Sequence, residues 1–314
     1  MARSDLDELD LGILHALHLD GRASFTRIGE VLGVSDQTVA RRYARLRSDS
    51  RVRISARTDA ARVGEVSWCV RIRCVPSVAL TIGRALARRS DTSWVKLASG
   101  GTEIMCMVRA ASDRDSSALL LEQLPKTPNV TAVTANCLLH VYYGGAQSPV
   151  DALSAEQAAA LRWPEPPDDG QAVLSPEDRT LLDLLAADGR MGFTELAAAT
   201  GRPHTTLRRR VQELRECGAL YFDVDIDHRA LRLPMQTMMW LSVAPDRLVE
   251  AGEAMAAHPE AVFVGATTGS SNLYAAVLCP DPTAFYRYLS TRVAALPAIQ
   301  HLETAPVIQT LKAL

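Results

Sequence analysis

The stretch Gly33-Val34-Ser35-Asp36-Gln37-Thr38-Val39-Ala40-Arg41-Arg42-Tyr43-Ala44-Arg45-Leu46-Arg47 decides how the rest of the chain is read. Gly33 permits a tight turn, and Ser35 is suited to cap a helix because its hydroxyl accepts a backbone N–H of the first turn. Val39, Tyr43 and Leu46 recur at i, i+4 and i+7, so they pack inward and leave Gln37, Thr38, Arg41 and Arg45 outside. Upstream, Thr26 to Leu32 reads as a shorter helix with Ile28 and Leu32 on one face. Two helices about a glycine turn, the second with a polar and arginine-bearing face, form a helix-turn-helix. Such a helix fits a major groove, where small polar groups reach base edges and guanidinium groups meet phosphate or guanine.

Charge supports that reading locally. From Ser35 to Arg57 there are seven arginines against Asp36 and Asp49, in a chain whose net charge is -2. The total therefore excludes a uniformly basic coat but not a basic patch. Arginine by itself carries less weight here than usual, because Lys96, Lys126 and Lys312 are the chain's only lysines and the skew suggests genomic base composition.

The same pattern recurs downstream. Residues 6–47 align without a gap to residues 174–215, with about 15 of about 42 pairs identical. The shared positions include Asp20-Gly21-Arg22 with Asp188-Gly189-Arg190, Thr38 with Thr206, and Arg41-Arg42 with Arg209-Arg210. The second copy offers Ser175 as N-cap with Pro176 at the first helical position, buries Leu207, Val211 and Leu214, and exposes Thr205, Thr206, Arg209 and Glu213. In both copies Asp-Gly-Arg is read as a helix end with glycine in the left-handed C' position. Between the copies, a possible short helix from Ser154 to Trp163 and the run Pro164-Glu-Pro-Pro-Asp-Asp-Gly170 read as a linker.

After each helical unit the hydrophobic period changes. Strands are expected at Val66 to Val75, Ser93 to Ala98, Glu103 to Ala110 and Val130 to Tyr143, with helices at Ser77 to Arg89 and Arg114 to Leu124. The second copy repeats this βαββαβ order, with strands near Met235 to Ala244, Ala261 to Thr267, Asn272 to Cys279 and Ile299 to Thr310. Its helices fall near Arg247 to Ala257 and Pro282 to Leu296. A split βαβ sandwich leaves one sheet face uncovered, so the two sheets are expected to face each other as an intramolecular pseudo-dimer. The fold class is α+β: two winged or helix-turn-helix units, each followed by a ferredoxin-like domain. The expected boundaries are 1–60, 61–145, a linker at 146–173, 174–230 and 231–314.

This arrangement resembles the Lrp/AsnC (feast/famine) family of bacterial and archaeal transcriptional regulators, twice over. The carrying motifs are Leu9-Asp10…Leu14…Leu17…Asp20-Gly21-Arg22, Gly33-Val34-Ser35…Thr38-Val39…Arg41-Arg42…Leu46 and Gly100-Gly101-Thr102-Glu103-Ile104. The resemblance implies sequence-specific binding of double-stranded DNA through Ser35, Gln37, Thr38, Arg41, Arg42 and Arg45, and through Thr205, Thr206, Arg209 and Arg210. It also implies an effector turn, commonly for amino acids, at Gly100, Gly101, Thr102 and Glu103 and at Gly269, Ser270, Ser271 and Asn272. Glu103 stands where the family usually has aspartate, while Asn272 has lost the charge. A carboxylate at Glu103 would pair with the ammonium of an amino-acid-like ligand. The two readers differ at Arg45/Glu213, Gln37/Thr205 and Ala40/Arg208, so an asymmetric operator is expected. Association of several chains is a further family expectation.

Other classes leave fewer traces. The chain has 314 residues, 47% hydrophobic and 22% charged, as expected of folded globular domains. No apolar run reaches the roughly 20 residues of a membrane span, and the N-terminus has no apolar signal region, so a cytoplasmic protein is expected. The six cysteines lack CxxC spacing and are expected to be buried free thiols, and neither a metal nor another cofactor is expected. No catalytic residue is assigned, and the chain is expected not to be an enzyme. The alternative is siroheme decarboxylases, which resemble the same architecture and would need a tetrapyrrole cleft with histidine or arginine groups. None of the seven histidines stands at motif spacing to a nucleophile or acid.

Overall fold

The computed structural model describes residues 6–110, 122–124, 126–143, 150–167, 169–296 and 298–313. They divide into two compact units, one from residues 1–64 and 145–231, the other from 65–144 and 232–314. Each unit thus combines the corresponding parts of both copies. The helix expected over Arg114 to Leu124 lies, apart from 122–124, outside the described residues.

In the first unit, the first copy supplies α1 (Glu8–Leu19), α2 (Phe25–Leu32), α3 (Asp36–Ser48) and β1 (Val52–Thr58). Ser35 caps α3 by accepting the Thr38 N–H, and Gly33 ends α2 in the left-handed region at φ 69°. Val39, Tyr43 and Leu46 are buried as the spacing requires. The strap between the copies carries α5 (Ala155–Leu161), and the second copy supplies α6 (Pro176–Ala187), α7 (Phe193–Thr200), α8 (His204–Glu216) and β6 (Leu220–Ile226). Leu207, Val211 and Leu214 of α8 are buried, and Ser175 caps α6 with Pro176 at its start.

The two copies share one hydrophobic core around a pseudo-two-fold axis. Strands β1 and β6, neither of which the sequence reading anticipated, pair antiparallel with Ser55 opposite Asp223, which are equivalent positions of the two copies. Several contacts across the axis are consequently made twice. Arg22 donates to the Gly189 and Met191 carbonyls at 2.8 and 3.1 Å, and Arg190 donates to those of Gly21 and Ala23 at 2.8 and 3.0 Å. Arg22 lies over the Phe193 ring and Arg190 over Phe25, at 4.7 and 4.5 Å. Arg47 pairs with Asp188 and Arg215 with Asp20, each at 2.7 Å.

This corrects the reading of Asp-Gly-Arg. The C-cap residues Asp20 and Asp188 are extended, and neither Gly21 nor Gly189 is left-handed. Glycine is required for close approach instead: a Cβ on Gly21 would lie 2.7 Å from the Phe222 Cβ, and one on Gly189 2.9 Å from the Ile54 carbonyl oxygen. The motif is a clamp between the copies.

Nor is the connecting segment a loose tether. Leu153 and Leu161 are buried, Arg27 donates to the Ala160 carbonyl, and Gln157 donates to that of Val31. The His15 Nδ1 accepts the Ala152 and Leu153 N–H groups, both at 3.2 Å, and burial lowers the His15 pKa. Trp163 stacks on the Arg215 guanidinium at 3.5 Å.

The second unit contains β2 (Val66–Cys74), α4 (Pro76–Ala87), β3 (Thr92–Ala98), β4 (Glu103–Ala110) and β5 (Val130–Tyr143) from the first copy. From the second come β7 (Met235–Val243), α9 (Leu248–Ala256), β8 (Ala261–Thr267), β9 (Leu273–Cys279), α10 (Pro282–Tyr288) and β10 (Ile299–Lys312). Each copy orders its strands as a split βαβ sheet, and the sheets make a pseudo-dimer. They join at both edges, β5 to β8 and β10 to β3, so the strands close into one antiparallel barrel rather than two merely facing layers.

Strand parity then divides the side chains. Val70, Ile72, Ile104, Cys106 and Val108 pack on α4, and Met239, Leu241, Leu273, Ala275 and Val277 pack on α9 and α10. Cys69, Met105, Met238, Trp240 and Tyr274 form a separate core on the face away from the helices. Cys69 and Cys74 therefore fall on opposite faces, and all six cysteines are free, with Cys137 and Cys217 half-buried.

Candidate nucleic-acid interface and effector turn

On α3, Gln37, Arg41 and Arg45 are exposed, as is the capping Ser35, whereas Thr38 is half-buried with its hydroxyl 3.0 Å from that of Ser35. Among the described residues Arg41 makes no ion pair. Arg45 reaches Asp10 at 2.5 Å, keeping half of its side chain in solvent. Arg42 is placed differently. It is bound by both Asp7 and Asp10, the two acids that cap α1, and its hydrogen bond to Asp7 leads the effects that raise its pKa. Its charge holds α3 to α1 and is not presented outward.

The second reader repeats the internal pair. Arg210 donates to Asp178, the capping acid of α6, at 2.9 and 2.8 Å. Burial works to raise the Asp178 pKa, but the hydrogen bonds from Arg210 and the Ser175 backbone prevail and hold it low. Thr205 and Arg209 are exposed and Thr206 half-buried, yet Arg209 pairs with Glu213 at 3.4 Å and Glu213 also reaches Arg210 at 3.3 Å. Arg208 folds back over the Phe193 ring, 5.3 Å away.

The proposed effector turns are occupied by their own chain. Gly100 and Gly101 take φ of 70° and 85°, and Thr102 closes the turn through its hydroxyl to the Ser99 carbonyl at 2.7 Å. Glu103 is 5% exposed and accepts from Arg71 at 2.7 Å, Arg73 at 3.2 Å and the Ser99 hydroxyl at 3.1 Å. Arg71 also pairs with Glu303 at 2.5 Å and stacks on Trp240 at 4.1 Å. The Glu103 carboxylate is therefore matched by two internal cations, and a ligand ammonium would have to displace one of them.

At the second turn, Asn272 mimics a strand residue, accepting the Val243 N–H at 2.9 Å and donating to the Val243 carbonyl at 2.8 Å. Ser242 donates to the Ser270 carbonyl and Thr267 to that of Ser271, while a Cβ on Gly269 would meet the Asn136 amide oxygen at 2.8 Å. These groups hold β7, β9 and the turn together.

Sequence reasoning missed Asp7, Asp10, Arg22, Arg190, Arg71, Arg73 and Glu303 as organising residues. For Arg22, Arg190 and Asp10 the signal was present, since each is retained in both copies. Arg71, Arg73 and Glu303 are not matched by like residues in the other copy and left no such trace.

The AsnC-type helix-turn-helix domain matches residues 6–47 and 177–215, and the Lrp/AsnC ligand binding domain matches residues 236–313. The chain belongs to the Lrp/AsnC family. Similar Lrp/AsnC-type proteins include the HTH-type transcriptional regulator FL11 of Pyrococcus horikoshii, 26% identical over 136 residues, which are 43% of this chain and 89% of that one. The regulator LrpA of Pyrococcus abyssi is 23% identical over 141 residues, 45% of this chain and all of its own length. Among solved structures, the siroheme decarboxylase NirDL shares the fold, with a TM-score of 0.65 and 13% identity over 98% of this chain and 93% of that one. Among the described residues of this Lrp/AsnC chain, no helix is long and apolar enough to cross a membrane, and no group of three or more His, Cys, Asp or Glu residues is placed to hold a metal ion.

Proposed function

We propose that the chain is a DNA-binding transcriptional regulator built as an intramolecular pseudo-dimer. The observation that carries this reading is the capped helix α3, with Gln37, Arg41 and Arg45 exposed along one face. The regulators matched by sequence along most of their own length support it. Duplex DNA is the partner that such a face fits, because guanidinium groups beside small polar side chains serve phosphate and base edges together. An amino-acid-like effector and association of several chains belong to the same reading as family expectations; given the pairing of Glu103, an effector would have to bind without relying on that carboxylate alone.

The test is a mobility shift on the DNA upstream of the chain's own coding sequence. Arg41→Ala/Arg45→Ala is expected to weaken binding at least about tenfold, and to reduce the steepness of the salt dependence by about 0.9 for each phosphate that is no longer neutralised. Undiminished affinity in the double variant would remove α3 from the interface.

A second reading, an enzyme acting on a tetrapyrrole, is favoured by the likeness in fold to a siroheme decarboxylase along nearly the whole chain. Arg71, Arg73 and His301 are neighbouring cations of the second unit of a kind that would suit substrate carboxylates. Each already faces an acid: Glu103 for both arginines, and Glu303 for Arg71, Arg73 and, at 3.6 Å, His301. Of the other histidines, His258 packs against Tyr288 and His15 holds the strap. The regulator reading has in Arg41 an exposed cation with no ion pair among the described residues.

A further inference from the structure

The two readers occupy equivalent places about one axis, so position-by-position comparison shows what each offers a duplex. Gln37, Arg41, Arg45 and Ser48 of α3 correspond to Thr205, Arg209, Glu213 and Glu216 of α8, and all eight are exposed. Counting formal charges on these four positions, the first face carries two positive charges and no negative one. The second carries one positive and two negative.

Geometry widens the difference at one pair of positions. Arg41 makes no ion pair among the described residues, while its counterpart Arg209 faces Glu213 at 3.4 Å, one helical turn away; Arg45 does pair, but with the buried Asp10 at the base of α1, so no carboxylate is exposed beside it. Glu213 bridges onward to Arg210 at 3.3 Å, and Glu216 is fixed by Gln212 at 2.7 Å. Arg202, at the start of the second reader, pairs with Glu177 at 3.3 Å, and Arg208 is turned onto Phe193. The helix start differs too, because α3 is capped by Ser35 whereas Pro203 offers α8 no side-chain cap. Two carboxylates facing a phosphate backbone repel it, and an arginine bridged to one of them makes a poorer phosphate ligand.

We infer that DNA is gripped by the first reader alone, and that Glu213 is the residue that holds the second reader off the duplex. This rests on the DNA-binding reading above and deepens it: the pseudo-dimer is a one-handed reader whose second copy braces the first through the Arg22/Arg190 clamp. The protein–DNA interface is then centred on a single half-site.

The test measures fluorescence anisotropy of a labelled duplex from the chain's own upstream region across a salt series, with hydroxyl-radical footprinting of the same complex. Wild type is expected to protect one half-site. Glu213→Arg is expected to tighten binding several-fold at low salt, to raise the salt slope by about 1 to 2, and to extend protection to a second half-site. Glu213→Gln removes the charge without adding one and should give a smaller gain. Adding Arg209→Ala to Glu213→Arg should reverse part of the gain, which ties it to the freed arginine.

Protection of two half-sites by wild type would overturn the inference, as would a Glu213→Arg chain that matches wild type in affinity and slope. Arg41→Ala separates this failure from that of the underlying reading. If Arg41→Ala weakens binding while Glu213→Arg changes nothing, DNA binding stands and the role of Glu213 falls. If none of the chains binds duplex, both fall together.

Discussion

Replacing Arg215 with alanine is expected to lower the stability of the first unit by about 3–5 kcal/mol, whereas the equivalent change at Arg47 costs about 1 kcal/mol or less. The two arginines make the same bond, 2.7 Å to Asp20 and 2.7 Å to Asp188. Their surroundings set the difference. The Arg215 and Asp20 side chains are 10% and 5% exposed, and Trp163 from the strap lies 3.5 Å over the guanidinium; the Arg47 side chain is 56% exposed. Truncation at 215 leaves a buried carboxylate without its ion-pair partner and an indole without its stacked guanidinium, while truncation at 47 leaves Asp188 with access to water. Urea unfolding of the two variants measures the contrast directly. Equal losses would mean that the strap does not distinguish the two sides of the axis.

The second large effect has the opposite sign and depends on pH. Asp223 sits opposite Ser55 at the centre of the β1–β6 pairing and is 8% exposed. Burial pushes its carboxyl up to about 6 from 3.8, against the lowering influence of Arg57 and of its hydrogen bond with the Val224 N–H, and with a further upward push from Asp225. The folded chain therefore holds this proton more tightly than the unfolded one. Its contribution is favourable at acid pH, declines as pH rises between about 4 and 6, and is fully lost above that window. A shift of about two pKa units corresponds to about 3 kcal/mol. Asp223→Asn, which keeps the shape and removes the charge, should match wild type near pH 4 and exceed it by up to about 3 kcal/mol at pH 8. Identical stabilities at pH 8 would show that the charge at this position is not destabilising.

The order of helices and strands was legible in the sequence because local signals settle it. Ser35 and Ser175 cap helices, Gly33 reverses the chain, and Val39, Tyr43 and Leu46 mark the buried face of α3. Strands β4, β5 and β8 lie where their alternation places them. What local pattern does not carry is pairing between residues far apart in the chain. Val52–Thr58 and Leu220–Ile226 are interrupted by charge and find their strand partner only in the other copy, so neither stands out alone.

The candidate site divides in the same way. Exposure of Gln37, Arg41 and Arg45 follows from helical period, but whether an arginine on that helix is free depends on a partner about 30 residues away, as with Arg42 and Asp10. Gly21 and Gly189 were recognised as meaningful and assigned the wrong cause, because a glycine kept for close approach looks the same in sequence as one kept for its dihedral. Glu103 was read as a carboxylate available to a ligand ammonium, although Arg71 and Arg73 on the neighbouring strand enclose it.

The central claim is that the exposed cations of α3 meet duplex DNA and that the second unit does not process a tetrapyrrole. One preparation of the full chain decides it, titrated in parallel with a labelled duplex from its own upstream region and with siroheme followed by absorbance. The account predicts saturable, salt-sensitive duplex binding that Arg41→Ala/Arg45→Ala weakens, with no change in the siroheme spectrum. A siroheme spectrum that shifts on binding and then changes with loss of carbon dioxide, in a chain with no affinity for the duplex, would contradict it.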